Sequence, residues 1–247
     1  MKVCKKNNSY FCIPNPSEEI MTIGIIVAMD KEFVQLCGLL TEAKTEQYAG
    51  KSFTIGKIGD KTIVMQKCGI GKVNAAVGAV EMIDHYQPGV IISTGCAGGA
   101  ASHLHVTDVV VGTEYRYHDV YCGSEVEYGQ LVGMPAFYTA PAELIDKALH
   151  LSCDTPVHGG LMVSGDWFVD SQEKMRGILK NFPQAIAVDM ESCAIAQVCH
   201  LREVPFISFR VISDVPLSDD KASQYFDFWN RLANGSFEVT RTFIQAL

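Results

Sequence analysis

The sequence predicts a single three-layer α/β domain, in which a mixed central β-sheet is flanked by helices. Its 247 residues, 48% of them hydrophobic, are enough to bury one large core. Apolar runs of strand length recur along the chain and are apolar on both faces, as strands are when helices cover both sides of a sheet. Helical patterns lie between these runs. This alternation predicts a mostly parallel or mixed sheet.

The individual strands and helices follow from these patterns in chain order. Strands are predicted at residues 23–28, 62–66, 90–93, 109–112, 161–164, 185–188 and 205–212. The first helix follows Asp30, a candidate N-cap, because apolar residues from Phe33 to Leu40 recur at the spacing of one helical face. Further helices are predicted at 73–86, 195–201 and 226–247, the last with Gly235 as a weak point.

The first 20 residues are predicted to be an N-terminal extension, poorly ordered or non-native, that precedes a domain at residues 21–247. This stretch is polar, contains two prolines and has no helical or strand period. It also lacks the continuous apolar stretch of a signal peptide. No internal repeat or linker is recognised after residue 21.

Charge and cysteine usage indicate the class of partner. A net charge of -8 provides no basic field to attract nucleic acid or an anionic membrane. No run approaches the roughly 20 apolar residues that a membrane-spanning helix needs. The nine cysteines form no CxxC pair, and most lie in apolar segments, which is typical of reduced thiols in a cytoplasmic protein. A small molecule is therefore the predicted partner.

Charged residues stand at several strand ends, where open α/β sheets bind ligands. Glu32 follows the first strand and is either a capping acid or a candidate general base. Asp189 and Glu191 follow the strand at 185–188. Arg210 lies inside an apolar strand and needs a carboxylate partner, and Asp214 closes that strand. Several carboxylates around one pocket suit a cationic transition state, such as that of glycosidic bond cleavage.

Small and aromatic residues follow other strands. The stretch GIGK at 69–72 lacks the spacing of a P-loop and is more typical of a turn. The stretch GCAGGA at 95–100 either admits a ligand to the backbone or forms a tight turn, and no local pattern fixes a histidine beside Cys96 to make it a nucleophile. Trp167 and Phe168 either pack in the core or stack on a flat heterocycle. Histidines at 102–105 and 117–119 lack a second spaced pair, so no metal site is predicted.

Taken together, the motifs GIIVAMDKE, CGIGKVNAA, STGCAGG, VSGDWF, VDMES and FRVISD resemble the 5′-methylthioadenosine/S-adenosylhomocysteine nucleosidase family of the nucleoside phosphorylase superfamily. The similarity runs from Met21 to near the C-terminus. It implies a nucleoside phosphorylase-like fold and irreversible hydrolysis of the N-glycosidic bond, which releases adenine and a 5-thioribose product without a cofactor. It also implies a homodimer in which the partner chain covers the 5′ substituent.

The resemblance assigns roles to particular residues. Glu32 matches the general base that activates water, Asp214 the general acid at adenine N7, and Glu191 the carboxylate that accepts the ribose hydroxyls. The other residues expected to bind substrate are Met29, Ile70, Cys96, Gly98, Phe168, Val169, Met190, Arg210, Ser213 and Tyr225.

Three positions depart from the family pattern. Cys96 stands where serine is usual, and a thiol is a poorer hydrogen-bonding partner for water. The segment 118–130, which helps to cover the 5′ substituent in relatives, is shorter and differently composed. Tyr225 and Phe226 both stand where one aromatic residue is expected to close the pocket.

Other functions remain open from the sequence. A nucleoside phosphorylase is disfavoured because Ser93 stands where a phosphate-binding arginine would be. Hydrolysis of 6-amino-6-deoxyfutalosine is not separated from hydrolysis of thioadenosines. A ligand-binding module without activity is disfavoured because binding alone needs neither Glu32 nor Asp214.

Overall fold

The protein forms one mixed β-sheet with helices packed against it. The computed structural model describes residues 21–217, 228 and 237–247. The strands in these residues are β1 (Thr22–Val27), β2 (Thr41–Tyr48), β3 (Lys51–Ile58), β4 (Lys61–Lys67), β5 (Val90–Gly99), β6 (Val109–Tyr117), β7 (Tyr138–Thr139), β8 (Val157–Ser164), β9 (Ala185–Asp189) and β10 (Phe206–Asp214). The helices are α1 (Asp30–Cys37), α2 (Lys72–Tyr86), α3 (Ala142–Leu149), α4 (Gln172–Asn181), α5 (Ser192–Leu201) and α6 (Glu238–Ala246).

The sheet runs in the order β2-β3-β4-β1-β5-β9-β8-β6-β10, with β7 paired to β6. Strand β10 also pairs with β5, so the five strands β5, β9, β8, β6 and β10 close into a ring. Parallel pairs such as β1 with β5 occur beside antiparallel pairs such as β5 with β9. The mixed sheet flanked by helices agrees with the prediction from the sequence.

Strand β5 changes its neighbour along one edge. Its first part pairs with β1 as far as Ser93, and its last part pairs with β9 at Gly98 and Gly99. Between these pairings β5 keeps only β10, on its other side. The Cys96 amide lies in this gap and donates a hydrogen bond to the Glu32 side chain instead of to a strand. Such a switch of strand neighbours leaves a crevice at the carboxyl ends of the strands, which is where α/β sheets bind ligands.

The core is built around the central strands. Every residue of β10 is buried, and so are all residues of β1 after Thr22. Helix α5 buries seven of its ten residues and packs against α2. The buried Tyr115 hydroxyl on β6 donates to the Gly112 carbonyl oxygen and accepts from the Ser208 amide of β10. These contacts hold the strands whose ends carry the charged residues.

Several predicted bounds were wrong. The residues 95–99, which were predicted to follow the strand at 90–93, belong to β5, and β10 extends two residues further than predicted, to Asp214. The polar strand β2 lacks the apolar pattern of a buried strand because it is mostly exposed, and it forms a hairpin with β3 through Ala49 and Gly50, both at positive φ. Helices α3 and α4 were also missed.

The two ends of the chain are described only in part. The predicted helix at 226–247 is helical over Glu238–Ala246, while Tyr225, Phe226 and Gly235 lie outside the described residues. The proposed extension at 1–20 also lies outside them. Of the helices in the described ranges, none combines the length and the apolar character needed to cross a membrane.

Candidate active site

A cavity of about 140 Å³ lies at the carboxyl ends of β1, β5, β8, β9 and β10. Eleven of the thirteen predicted site residues line it: Met29, Glu32, Ile70, Cys96, Gly98, Phe168, Val169, Met190, Glu191, Ser213 and Asp214. Arg210 lies behind the wall of the cavity, and Tyr225 is outside the described residues. Ala28, Ala97 and Val188 also line the cavity, and no chemical signal in the sequence marks such aliphatic residues as part of a site.

Glu32 is held by three backbone amides. It occupies the first turn of α1 and is 2% exposed. Its Oε2 atom accepts from the amides of Ala28 at 3.2 Å and Met29 at 3.0 Å, and its Oε1 atom accepts from the Cys96 amide at 3.0 Å. Burial raises the pKa of Glu32, and the Arg210 charge and the three amides oppose that rise. The side chain is therefore fixed in one orientation with increased basicity.

Gly95 allows the Glu32 carboxylate to lie directly against the backbone of β5. A Cβ atom at position 95 would lie 2.6 Å from Glu32 Oε1, closer than real Cβ atoms come to other atoms. The next residue, Cys96, is half-buried in the lining of the cavity, and desolvation together with the Glu32 charge raises the pKa of its thiol well above the usual value. The thiol is therefore neutral at physiological pH. Because the thiolate is the reactive form, this argues against Cys96 as a nucleophile.

Arg210 and Asp189 form a buried ion pair. The Arg210 Nε atom donates to Asp189 Oδ2 at 2.8 Å, and its Nη2 atom donates to Ser93 Oγ at 2.9 Å. Asp189 also accepts from the hydroxyls of Ser164 and Ser192 and from the Ser192 amide. This is the carboxylate partner that the sequence required for Arg210. Because both charges are also hydrogen-bonded, their burial costs less than that of isolated ions.

Glu191 lies at the junction between β9 and α5 and is 7% exposed. Its Oε1 atom accepts from the Gly71 amide at 2.9 Å, and its Oε2 atom is 4.0 Å from Arg210 Nη2. Burial, reinforced by the negative charge of Asp189, raises the pKa of Glu191 to about 7, while Arg210 and the Gly71 amide oppose the rise. Glu191 is therefore easier to protonate than an exposed glutamate.

Ser213 and Asp214 are the last two residues of β10, and both line the cavity. The Ser213 hydroxyl lies 2.7 Å from Asp214 Oδ1, to which it donates, and 3.3 Å from the Ala97 carbonyl oxygen. Asp214 is buried, with 7% of its surface exposed. A Cβ atom at Gly98 would lie 3.9 Å from Asp214 Oδ2. Gly98 and Asp214 therefore lie close together in the lining of the cavity.

Two aromatic residues form the rim of the cavity. Trp167 and Phe168 follow β8 and are 48% and 60% exposed. Such large apolar surfaces beside a cavity suit stacking on a flat ring more than core packing. The Trp167 ring also contacts the ring of His118 edge-on, at 5.4 Å between centroids.

A charged cluster beside the rim was not predicted. The Lys72 ammonium contacts both Asp119 carboxylate oxygens, at 2.8 and 2.7 Å, and lies 3.7 Å from Asp166 Oδ2. The sequence signals at these positions were the GIGK stretch, for which a turn was the favoured interpretation, and residues 117–119, which were not predicted to form a site. Among the described residues, no group of three His, Cys, Asp or Glu side chains is placed to hold a metal ion.

Comparisons with known proteins agree with this geometry. A family model described as the phosphorylase superfamily matches residues 22–245. A 5′-methylthioadenosine/S-adenosylhomocysteine nucleosidase of an Exiguobacterium species is 42% identical over 211 residues, which are 84% of this chain and 90% of the relative. The S-adenosylhomocysteine nucleosidase of Streptococcus pyogenes, solved with 5-methylthiotubericidin, has a TM-score of 0.86 at 33% identity, covering 94% of this chain and 99% of that one.

A futalosine hydrolase of Helicobacter pylori is more distant in sequence. It has a TM-score of 0.85 but only 25% identity, covering 92% of this chain and 99% of that one. The sheet with its cavity at the strand ends thus defines a member of the phosphorylase superfamily. Within this superfamily, the chain belongs to the 5′-methylthioadenosine/S-adenosylhomocysteine nucleosidase family. The family resemblance and the fold inferred from the sequence motifs are confirmed.

The Glu191→Gln variant is expected to be more stable than the wild type above pH 7. The pKa of Glu191 is 4.5 for an unperturbed glutamate and about 7 in the folded protein. Protonated Glu191 therefore stabilises the folded state below pH 4.5, and this contribution is lost as the pH rises to 7 and above. Glutamine is neutral at every pH and retains an oxygen for the Gly71 amide. The gain is up to about 3 kcal/mol at pH 8 and shrinks as the pH falls from 7 toward 4.5.

Urea unfolding of both proteins across this pH range measures the difference. A pH-independent difference, or a variant less stable than the wild type at pH 8, would contradict the burial of a neutral Glu191. The exposed Glu42, which pairs with Lys57, provides the control, since Glu42→Gln is expected to change the free energy of unfolding by less than about 1 kcal/mol.

Proposed function

We propose that the protein hydrolyses the N-glycosidic bond of 5′-methylthioadenosine and S-adenosylhomocysteine, releasing adenine and a 5-thioribose product. The main support is the buried, amide-held carboxylate of Glu32 in the same cavity as Asp214 and Glu191. The names of the similar proteins support the choice of substrates. The reaction splits a bond between a purine and a sugar, so its transition state carries positive charge on the ribose.

Glu32 is proposed as the general base. A base that takes a proton from water works best when its pKa is close to the working pH, and burial raises the pKa of Glu32 in that direction. The three backbone amides hold the carboxylate in place. This fixed orientation would reduce the entropic cost of aligning water with the sugar carbon.

Asp214 is proposed as the general acid, which protonates adenine N7. Protonation lets the base leave as a neutral molecule, and this makes cleavage easier. The Ser213 hydroxyl donates to Oδ1 of Asp214, and both residues line the cavity. Ser213 would thus orient the carboxyl group of the acid.

Glu191 is proposed to accept the ribose hydroxyls, with Met190 beside it on the wall of the cavity. An ionised carboxylate at this position would also stabilise the ribosyl cation. Asp189 has a different role, because its oxygens are occupied by Arg210 and by the serines around it. Asp189 neutralises Arg210, so that Glu191 keeps an oxygen available for the sugar.

The remaining residues of the cavity are proposed to bind the two ends of the substrate. Phe168 stacks on adenine, and the Val169 backbone reads its edge. The other proposed contacts are Met29, Ile70, Cys96 and Gly98 in the cavity, Arg210 near the water, and Tyr225, which lies outside the described residues.

Water is favoured over phosphate as the nucleophile. A phosphate dianion beside Glu32 would need cations to offset the repulsion between the two. Among the described residues that line the cavity there is no lysine or arginine. Arg210 lies behind the wall and is paired with Asp189. This arrangement suits a neutral nucleophile.

Adenine release from 5′-methylthioadenosine and S-adenosylhomocysteine is expected at the same rate with and without phosphate. The assay measures adenine by liquid chromatography, and 6-amino-6-deoxyfutalosine serves as a third substrate. A strict requirement for phosphate would overturn hydrolysis. A much faster reaction with aminofutalosine would change the substrate, and no base release from any of the three would indicate a binding module.

Glu32→Gln and Asp214→Asn are each expected to lower kcat by a factor of about 10² to 10⁴, the usual contribution of a general acid or base. Asp30→Asn is the matched control, because Asp30 is an exposed acid in the same turn as Glu32 and pairs with Lys67. Circular dichroism checks that each variant is folded. Near-normal turnover in a folded variant would remove that residue from its proposed role.

We also propose that the protein acts as a homodimer, with the partner chain covering the 5′ substituent. Helix α2 and the turn before it expose Ile70, Val73 and Val77 at 51%, 74% and 43%. Ile70 also lines the cavity, so this apolar face continues into its mouth. A second copy on this face would bury apolar surface and shield the site at once. A cytoplasmic location remains a prediction from cysteine usage.

Val73→Glu is expected to sediment as a monomer and to raise the KM for 5′-methylthioadenosine, because a buried charge would oppose association. The control is Val34→Glu on α1, where the wild-type side chain is similarly exposed, at 68%. Sedimentation velocity gives the assembly state. A wild type that sediments as a monomer, or a variant that stays dimeric with unchanged KM, would contradict the proposed interface.

A further inference from the structure

Three charged side chains beside the cavity form a closed set of contacts, here called the Lys72 cluster: Lys72, Asp119 and Asp166. The Lys72 ammonium contacts both oxygens of Asp119. Asp119 Oδ2 also accepts from the Asp166 amide at 2.8 Å, and Asp166 Oδ1 accepts from the Lys72 amide at 2.8 Å. Asp119 is 7% exposed at its side chain and Lys72 is 23% exposed, so solvent screens their pair less than a surface pair.

The Lys72 cluster fixes the start of α2. The first amides of a helix have no partner within the helix, and the N-cap residue here, Gly71, has no side chain to provide one. Carboxylates from two other parts of the chain accept instead, with Glu191 binding the Gly71 amide and Asp166 binding the Lys72 amide. Gly71 has a φ of 95°, and a Cβ atom there would lie 3.0 Å from Asp166 Oδ1. The position therefore favours glycine.

We propose that the Lys72 cluster sets the affinity of the site for the sugar of the substrate by holding the Gly71 amide against Glu191. The proposal rests on the proposed function, in which Glu191 accepts the ribose hydroxyls. The members of the cluster are absent from the cavity lining, so they act as positioning residues. The cluster also joins the turn that carries Ile70 to the segment that carries Trp167 and Phe168.

The Gly71 amide matters because it is one of two contacts that lower the pKa of Glu191 and so favour its ionised form. The charged or titratable groups that face Glu191 are Asp189 from β9, Arg210 from β10, Glu32 from α1 and Cys68 after β4. Asp189 and Glu32 oppose ionisation, whereas Arg210 and the Gly71 amide favour it. Displacement of α2 would thus weaken the acceptor of the sugar. The segment of Trp167 and Phe168 would stay in place, because the Asp166 amide donates to Asp119 independently of Lys72.

The test uses Lys72→Met, which keeps the length of the side chain and removes its charge. The KM for 5′-methylthioadenosine is expected to rise about tenfold, as for the loss of one charge-assisted hydrogen bond, while kcat falls less than about threefold. The acidic limb of the kcat/KM profile should move to higher pH, because Glu191 without its amide ionises less readily. Lys72→Arg should restore most of the affinity.

A titration with adenine measures the affinity of the site for the base alone, without the contribution of the sugar. Calorimetric titration with adenine is expected to give the same Kd for the wild type and Lys72→Met, since adenine has no sugar. Lys44→Met is the control for loss of an ion pair, because Lys44 pairs with Glu46 on the exposed strand β2. Sedimentation velocity checks that assembly is unchanged, since Lys72 precedes the apolar face of α2.

Three results would overturn the proposal: an unchanged KM and pH profile in Lys72→Met, a loss of kcat without a rise in KM, or an equal loss of adenine affinity. If Lys72→Met fails to fold, Asp166→Ala replaces it, because Asp166 is half-exposed and its loss removes only the contacts to the start of α2. A wild type that binds adenine but cleaves none of the nucleosides would refute the proposed function, and calorimetry with 5′-methylthioadenosine would still test the sugar affinity.

Discussion

The site depends on the buried pair between Arg210 and Asp189. A guanidinium in the middle of a fully buried strand is stable only with a carboxylate against it, and the loss of either partner would leave an unpaired charge in the core. Asp189 is held in turn by the hydroxyls of Ser164 on β8 and Ser192 on α5 and by the Ser192 amide. Because Arg210 is paired with Asp189, it only partly offsets the charge of Glu191, whose Oε2 atom lies 4.0 Å from the guanidinium. That oxygen is then available to a ligand. Both the cost of ionising Glu191 and its proposed affinity for a sugar follow from that balance.

The gap beside β5 provides the second constraint. A continuous sheet would have used the Cys96 amide in strand pairing, and Glu32 would then have lost one of its three donors. The change of neighbour from β1 to β9 frees this amide within the sheet, where the backbone is rigid. Gly95 supplies the space. The orientation of the proposed base is therefore a product of topology as much as of side-chain chemistry.

The parts of the molecule that the sequence predicted are those where burial or charge is encoded locally. The apolar strands β1, β9 and β10 were found because both of their faces are buried, whereas β2 was missed because both of its faces are mostly exposed. The need of Arg210 for a carboxylate partner could be predicted from its position in the apolar run 205–212 alone. The Lys72 cluster could not be predicted in this way, because its partners are 47 and 94 residues away in the chain and only the fold brings them together.

The closure of β10 onto β5 also affects how copies of the chain meet one another. In the described part of the protein, this closure removes two strand edges, and the long edge that remains is β2. That edge carries alternating charges such as Lys44 and Glu46 and has a bulge between Thr41 and Lys44. A charged and irregular edge is a poor template for strand addition from another molecule. The sheet that organises the cavity is thus poorly suited to edge-to-edge aggregation, and the dimer proposed above would form through the apolar face of α2 instead.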